Sequence, residues 1–78
     1  MRLGKYLSSL TKPELDELIN LLNLSDEEEE VYWLLSRRHS KVYIADECSS
    51  SVRTVSNRIK VITEKIKRLK KDGYYKFE

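Results

Sequence analysis

The stretch that decides the fold is residues 44–59, which read IADECSSSVRTVSNRI. The part that ends at Cys48 has the apolar spacing of a short helix, and the part that begins at Val52 has the spacing of a second one. Between them lies a small polar turn, Ser49-Ser50. Two helices joined by a turn of this length predict a helix-turn-helix.

Two further helices are predicted upstream. Thr11 begins one of them as a capping residue, with Pro13 in the first turn, and we expect that helix to end near Asn23. Ser25 repeats the capping arrangement. The acidic run 27–30 then falls in a first turn, where negative charge meets the positive end of the helix dipole. This placement favours a helix start over an acidic binding tail.

The remaining segments complete an all-α chain with no wing. Ser40 caps the first helix of the motif, whose inward side chains are predicted to be Val42, Ile44, Ala45 and Cys48. The last helix keeps an apolar stripe as far as Lys71, namely Val52, Val55, Ile59, Ile62, Ile66 and Leu69. Asp72-Gly73 is a helix stop, and an aromatic tail follows at Tyr74, Tyr75 and Phe77. The first ten residues read as a short helical lead-in.

The chain of 78 residues is long enough for one domain with a modest core. We divide residues 1–78 into a lead-in and extra helix at 1–23, a helix-turn-helix core at 24–66, and a basic extension with the aromatic tail at 67–78. The fold class expected is therefore four helices, with the lead-in before them and a long C-terminal recognition helix at 51–71.

Charge is distributed unevenly along the chain. Residues 1–39 carry five basic and eight acidic side chains, a net charge of −3, whereas residues 40–78 carry ten and five, a net charge of +5. The positive half contains the predicted motif. A polyanion is therefore expected to meet that half, although lysine-rich helix faces are also often simply solvated.

Several function classes are disfavoured by composition. No signal peptide or membrane-spanning run is present, so a cytoplasmic protein is expected. The single cysteine, Cys48, is expected to be a small core residue. His39 has no partners at metal-ligand spacing, and the serines occupy caps and turns. We therefore expect no metal, no cofactor and no enzymatic activity.

From Leu24 to Ile66 the chain resembles the helix-turn-helix of the LuxR/GerE transcription-factor family. The residues that carry the resemblance are Leu24-Ser25, Glu30-Val31, Leu34-Leu35, Ile44-Ala45 with Cys48, Ser51-Val52-Arg53-Thr54-Val55, and Asn57-Arg58-Ile59 with Ile62, Lys65 and Ile66. The match needs no gap. It implies a DNA-binding domain whose second motif helix enters the major groove.

The chain departs from that family at three positions and in helix order. Arg38 and Ser49 stand at two positions where the family usually has glycine, and Ser50 stands where the family has an apolar turn residue. The family also carries a helix after the recognition helix, whereas the extra helix here precedes the motif. This order is similar to region 4 of bacterial sigma factors and to small phage-type relatives.

Candidate DNA contacts lie on the outer face of the last helix. The base-reading positions expected there are Arg53, Ser56, Asn57 and Lys60, of which the resemblance implies the last three and places Arg53 near the groove edge. Asparagine can pair with adenine, and arginine or lysine can reach guanine acceptors. The phosphate contacts expected are Lys41, Ser51, Thr54, Arg58 and Lys65. One motif contacts few base pairs, so a homodimer or a larger partner is expected.

An alternative is a protein-interaction module that keeps the fold without the DNA role. The stripe formed by Ile62, Ile66 and Leu69 could pair in a coiled coil and make a dimer, or could cover the N-terminal helix of its own domain. The aromatic tail at 74–77 could dock on RNA polymerase. Trp33 and Tyr43 could each stack on a base or belong to the core.

Overall fold

The structure, a computed structural model, describes residues 2–72, which form five helices and no strand. The helices are α1 (Leu3–Ser8), α2 (Lys12–Leu22), α3 (Asp26–Ser36), α4 (Lys41–Glu47) and α5 (Val52–Asp72). The predicted all-α fold with its long C-terminal helix is confirmed, and the lead-in is a helix of its own. The expected stop at Gly73 and the aromatic tail at 74–77 lie outside the described residues.

Helix starts are fixed by the local side chains that the sequence suggests. The Thr11 hydroxyl accepts a hydrogen bond from the backbone N–H of Glu14 at 3.4 Å, and the Glu14 carboxylate accepts one from the Thr11 N–H at 2.8 Å. The bond from the Thr11 N–H lowers the pKa of the Glu14 carboxyl. Ser25 and Glu28 make the same reciprocal pair at the start of α3, and Ser40 caps α4 through its hydroxyl.

One core joins all five helices. Its buried members are Leu3, Leu7, Leu15, Leu18, Leu22, Val31, Tyr32, Leu35, Ile44, Ala45, Val55, Ile62 and Ile66. The Tyr32 hydroxyl donates to the backbone carbonyl of Leu15 at 2.7 Å, which satisfies a polar group inside this core and ties α3 to α2. Trp33 is half-buried, edge-on to the Tyr32 ring at 5.2 Å, as expected of a core aromatic.

Two predicted core side chains are corrected by the structure. Val42 is 69% exposed and Val52 is 42% exposed. Val42 precedes Ile44 by two residues, which places the two side chains about 200° apart around a helix, so both cannot face the core. Val52 lies in the first turn of α5, before that helix meets the core at Val55.

Helix α3 ends at a left-handed residue. Arg38 has φ 67°, and its backbone N–H donates to the Leu35 carbonyl at 2.9 Å. The next N–H, of His39, donates to the Leu34 carbonyl at 3.3 Å. This pair of bonds is the Schellman motif, in which glycine is the usual left-handed residue because it has no Cβ.

Candidate nucleic-acid interface

The turn between α4 and α5 has the same construction as the end of α3. Ser49 has φ 52°, its N–H donates to the Asp46 carbonyl at 3.2 Å, and the Ser50 N–H donates to the Ala45 carbonyl at 2.8 Å. Both positions at which the resembled family usually has glycine therefore have left-handed backbone, here in Arg38 and Ser49. The bonds close α4 and turn the chain into α5.

The first turn of α5 is held by Ser51. Its hydroxyl accepts a hydrogen bond from the Thr54 N–H at 3.1 Å and donates to the Thr54 hydroxyl at 3.0 Å. These bonds satisfy one of the otherwise unpaired N–H groups at the helix start and fix the direction in which α5 leaves the turn.

Opposite faces of α5 have opposite character. Val55, Ile62 and Ile66 are fully buried in the core. The exposed side chains near its N-terminal end include the predicted base-reading residues Arg53, Asn57 and Lys60, whereas Ser56 is half-buried at the edge of that face. The structure thus brings three of the four predicted residues together on an open surface, with the fourth beside them.

The exposed face of α5 meets its first acidic side chain at Glu64, one helical turn beyond Lys60. A carboxylate there repels a phosphate backbone, whereas the earlier turns carry only neutral or positive side chains on this face. The part of α5 suited to a polyanion therefore runs from its N-terminus to Lys60, and we refer to it as the α5 reading face.

The five predicted phosphate contacts differ in exposure. Lys41 and Ser51 are exposed, and Thr54, Arg58 and Lys65 are half-buried. The Arg58 guanidinium donates to the Ser50 hydroxyl at 3.4 Å, which ties α5 back to the turn that precedes it. Lys41 forms no side-chain hydrogen bond or ion pair with another described residue, so its charge is open to solvent.

Lys65 has internal partners. Its ammonium lies 3.0 Å from a Glu28 carboxylate oxygen and 3.3 Å from the Asn23 carbonyl oxygen, where α2 ends and α3 begins. Lys65 lies five residues beyond Lys60, about 7.5 Å along α5 from the end of the reading face and about 20 Å from Val52. A phosphate contact by Lys65 would have to compete with this ion pair.

The hydrogen bonds and the ion pair of Glu28 together lower the pKa of its carboxyl. Burial raises the pKa of the Glu28 carboxyl, but hydrogen bonds from the Ser25 N–H and from Lys65, together with the Lys65 charge, outweigh burial and leave this pKa below its ordinary value. One carboxylate therefore caps α3 and holds α5 against it.

Helices α4 and α5 form an open groove. Its lining residues include the apolar side chains of Val42, Tyr43 and Val52, the hydroxyl of Ser51 and the exposed carboxylate of Asp46. The Tyr43 ring is 43% exposed and stacks on the His39 ring with centroids 4.1 Å apart. The sequence did not indicate this apolar strip, because the spacing had assigned both valines to the core.

Two observations within residues 2–72 bear on metal binding and on thiol chemistry. No group of three or more His, Cys, Asp or Glu side chains in this range is placed to hold a metal ion. Cys48 is half-buried against the core, and burial, with the neighbouring Glu30 carboxylate, raises the pKa of its thiol. A raised pKa disfavours the nucleophilic thiolate.

The protein-interaction alternative named two surfaces, the apolar stripe 62–69 and the aromatic tail. Ile62 and Ile66 are fully buried within the domain, and Leu69 packs against the same core, so this stripe covers the chain's own helices. The aromatic tail at 74–77 lies outside the described residues. Over the part of the chain that is described, no helix combines the length and apolarity needed to cross a bilayer.

Comparison of the chain with protein-family models, with curated proteins and with solved structures finds no match.

Proposed function

We propose that this chain is a sequence-specific, double-stranded DNA-binding regulator of transcription, with the N-terminal half of α5 in the major groove. The observation that carries the proposal is the two-faced character of α5. Arg53, Asn57 and Lys60 are exposed on one side while Val55 and Ile62 are fully buried on the other. The buried face of such a helix fixes it against the core, and the exposed face remains accessible to a ligand.

The proposed recognition chemistry follows from the side chains of the α5 reading face. Asn57 can donate to and accept from the adenine edge, and Arg53 and Lys60 can reach the guanine O6 and N7 acceptors. Lys41 and Ser51, both exposed, would contact phosphates on the two sides of the α4–α5 turn. Base contacts supply sequence choice, whereas phosphate contacts set the register of the helix.

The backbone supports the resemblance to the LuxR/GerE family and to sigma-factor region 4. Arg38 and Ser49 occupy left-handed conformations at the positions where that family usually has glycine. A chain that keeps these two conformations without glycine retains the turn geometry that the motif needs. Because one motif reads few base pairs, we expect the protein to act as a dimer or with a larger partner such as RNA polymerase. We also propose a cytoplasmic setting.

The test is selection of bound sequences from a random duplex library, followed by affinity measurement on the enriched duplex. Asn57→Ala should lose about 1–3 kcal/mol, or roughly five- to 150-fold in affinity, on that duplex and much less on a scrambled one. Asn20→Ala is the matched control, since Asn20 is also an exposed helical asparagine but lies on α2.

Three outcomes separate the possibilities. An enriched sequence whose binding depends on Asn57 and not on Asn20 supports the proposal. Equal losses in the two variants, or no enrichment, would overturn it. A stable dimer in analytical ultracentrifugation that binds no duplex at 50 mM salt would favour the protein-interaction alternative instead.

A further inference from the structure

A second basic surface lies outside the α5 reading face. No acidic residue occurs in residues 2–11 or in residues 31–45, and the acidic residues of the N-terminal half all lie between these segments. Segment 2–11 contains α1, and segment 31–45 contains the end of α3 and the start of α4. The net charge of −3 over residues 1–39 hides this separation, because it averages over α2 and the start of α3.

The fold brings the two segments together. Gly4 of α1 lies close to α3: a Cβ at this position would be 3.5 Å from the Leu35 side chain. The groove beside this contact is lined by Gly4, Lys5, Ser8, Arg38 and His39. Arg2, the N-cap residue of α1, lies beside Lys5, and Arg37 and Lys41 flank Arg38 and His39 in the sequence. We call this set, Arg2, Lys5, Arg37, Arg38, His39 and Lys41, the α1–α4 patch.

The charged side chains of this patch have no internal partners in the part of the chain that the structure describes. Arg2, Lys5, Arg37, Arg38 and Lys41 are exposed, and within residues 2–72 none of their side chains forms a hydrogen bond or an ion pair. Some other cations of the chain are held by internal partners, whereas Arg53, Lys60 and Lys70 likewise form no such bond with any described residue. Lys12 pairs with Asp16 at 2.8 Å, and Lys65 pairs with Glu28.

The patch is continuous with the α5 reading face. His39 belongs to the patch and stacks on Tyr43, and Tyr43 lines a groove with Val52, the residue before Arg53. One carboxylate, that of Asp46, also lines this groove. The domain measures 34 × 21 × 20 Å, so even its narrow dimensions exceed the major-groove width of about 12 Å. With α5 in the groove, parts of the domain beside α5 must lie over the phosphate backbone.

We infer that the α1–α4 patch binds backbone phosphates of the same duplex, outside the groove that α5 enters. The inference rests on the proposed function and adds to it a second contact surface, formed by the N-terminal helix and the α3–α4 turn. Exposed cations that form no internal ion pair suit phosphate oxygens. Because the patch adjoins the α5 reading face, we expect both surfaces to contact the same duplex.

The test is the salt dependence of affinity for a fluorescein-labelled random-sequence duplex, measured by anisotropy between 50 and 300 mM KCl. The variant is the double substitution Lys5→Gln with Arg38→Gly, in which glycine suits the backbone of residue 38, where φ is 67°. Each lost phosphate contact lowers the magnitude of the log–log slope by about 0.9. We expect a total decrease of about 1.8 and an affinity about 60-fold lower at 0.1 M salt.

The matched control is the double substitution Lys70→Gln with Lys71→Gln, which removes two exposed cations about 27 and 29 Å along α5 from Val52. This control should leave the slope unchanged, and circular dichroism should show native helicity in all variants. An unchanged slope in the double variant, or the same decrease in the control, would overturn the patch inference. If the enriched duplex still requires Asn57 in that case, the proposed function stands; if wild type binds no duplex, both fail.

Discussion

Two adjacent arginines should respond in opposite ways to glycine. Arg37 has φ −92°, whereas Arg38 has φ 67°, and both side chains are exposed at the end of α3. A left-handed conformation costs a residue with a Cβ about 1–2 kcal/mol, and glycine escapes that cost. We therefore predict that Arg38→Gly relieves strain that Arg37→Gly does not.

The magnitude follows from what the two substitutions share. Each removes one positive charge near the carbonyl end of α3. Each also lowers stability by about 0.5–1 kcal/mol, because glycine makes the unfolded chain more flexible. These costs cancel in the comparison. The free energy of unfolding of the Arg38→Gly variant should therefore be higher than that of the Arg37→Gly variant by about 1–2 kcal/mol. Its melting temperature should be higher by at least about 4 °C.

The assay is urea unfolding followed by far-ultraviolet circular dichroism at matched pH and salt. Equal slopes against urea would show that the two variants unfold from the same native state to the same denatured state. Equal midpoints, or a lower midpoint for Arg38→Gly, would refute the left-handed assignment of residue 38. The same result would count against a left-handed backbone at Ser49, whose φ is 52°.

Three further predictions concern individual side chains. Because the pKa of Glu28 is lowered on folding, its contribution to stability is complete above the unfolded value of about 4.3 and is lost as pH falls through the folded value. Glu28→Gln should therefore weaken the pH dependence of the urea midpoint between pH 5 and 3. An unaltered pH dependence would contradict this prediction. Glu64→Gln should tighten duplex binding about two- to fivefold at low salt, and unchanged binding would remove Glu64 from the neighbourhood of the phosphates. If Val52 contacts a thymine methyl, replacing that thymine of the enriched duplex with uracil should weaken binding by the wild type about fourfold. The same replacement should leave the affinity of the Val52→Ala variant unchanged. Equal sensitivity of the two proteins at every thymine would exclude this contact.

The parts of the fold that the sequence predicted correctly depend on neighbouring residues. Thr11, Ser25 and Ser40 cap helices through hydrogen bonds to residues three positions ahead, and such bonds need no knowledge of the tertiary structure. The buried stripe of α5 follows from helical periodicity in the same way. The errors at Val42 and Val52 arose where a helix is short or only beginning, so that periodicity has too few residues to fix a face.

What the sequence could not supply depends on distant segments. The ion pair of Lys65 with Glu28 joins residues 37 positions apart, and only the packing of α5 beside α3 brings them within 3.0 Å. From spacing alone, Lys65 is one more basic residue on a basic helix. The α1–α4 patch was hidden for the same reason, since Lys5 and Arg38 become neighbours only when α1 packs on α3.

The proposed electrostatic role of α1 must be separated by experiment from its structural role. Leu3 and Leu7 are buried in the core, so deleting α1 would expose apolar surface and lower stability whether or not the helix touches DNA. Lys5 lies on the same helix but is exposed, and its replacement leaves both leucines in place. Only such side-chain substitutions distinguish an electrostatic role of α1 from a structural one, because a truncated protein that fails to bind would be explained equally well by unfolding.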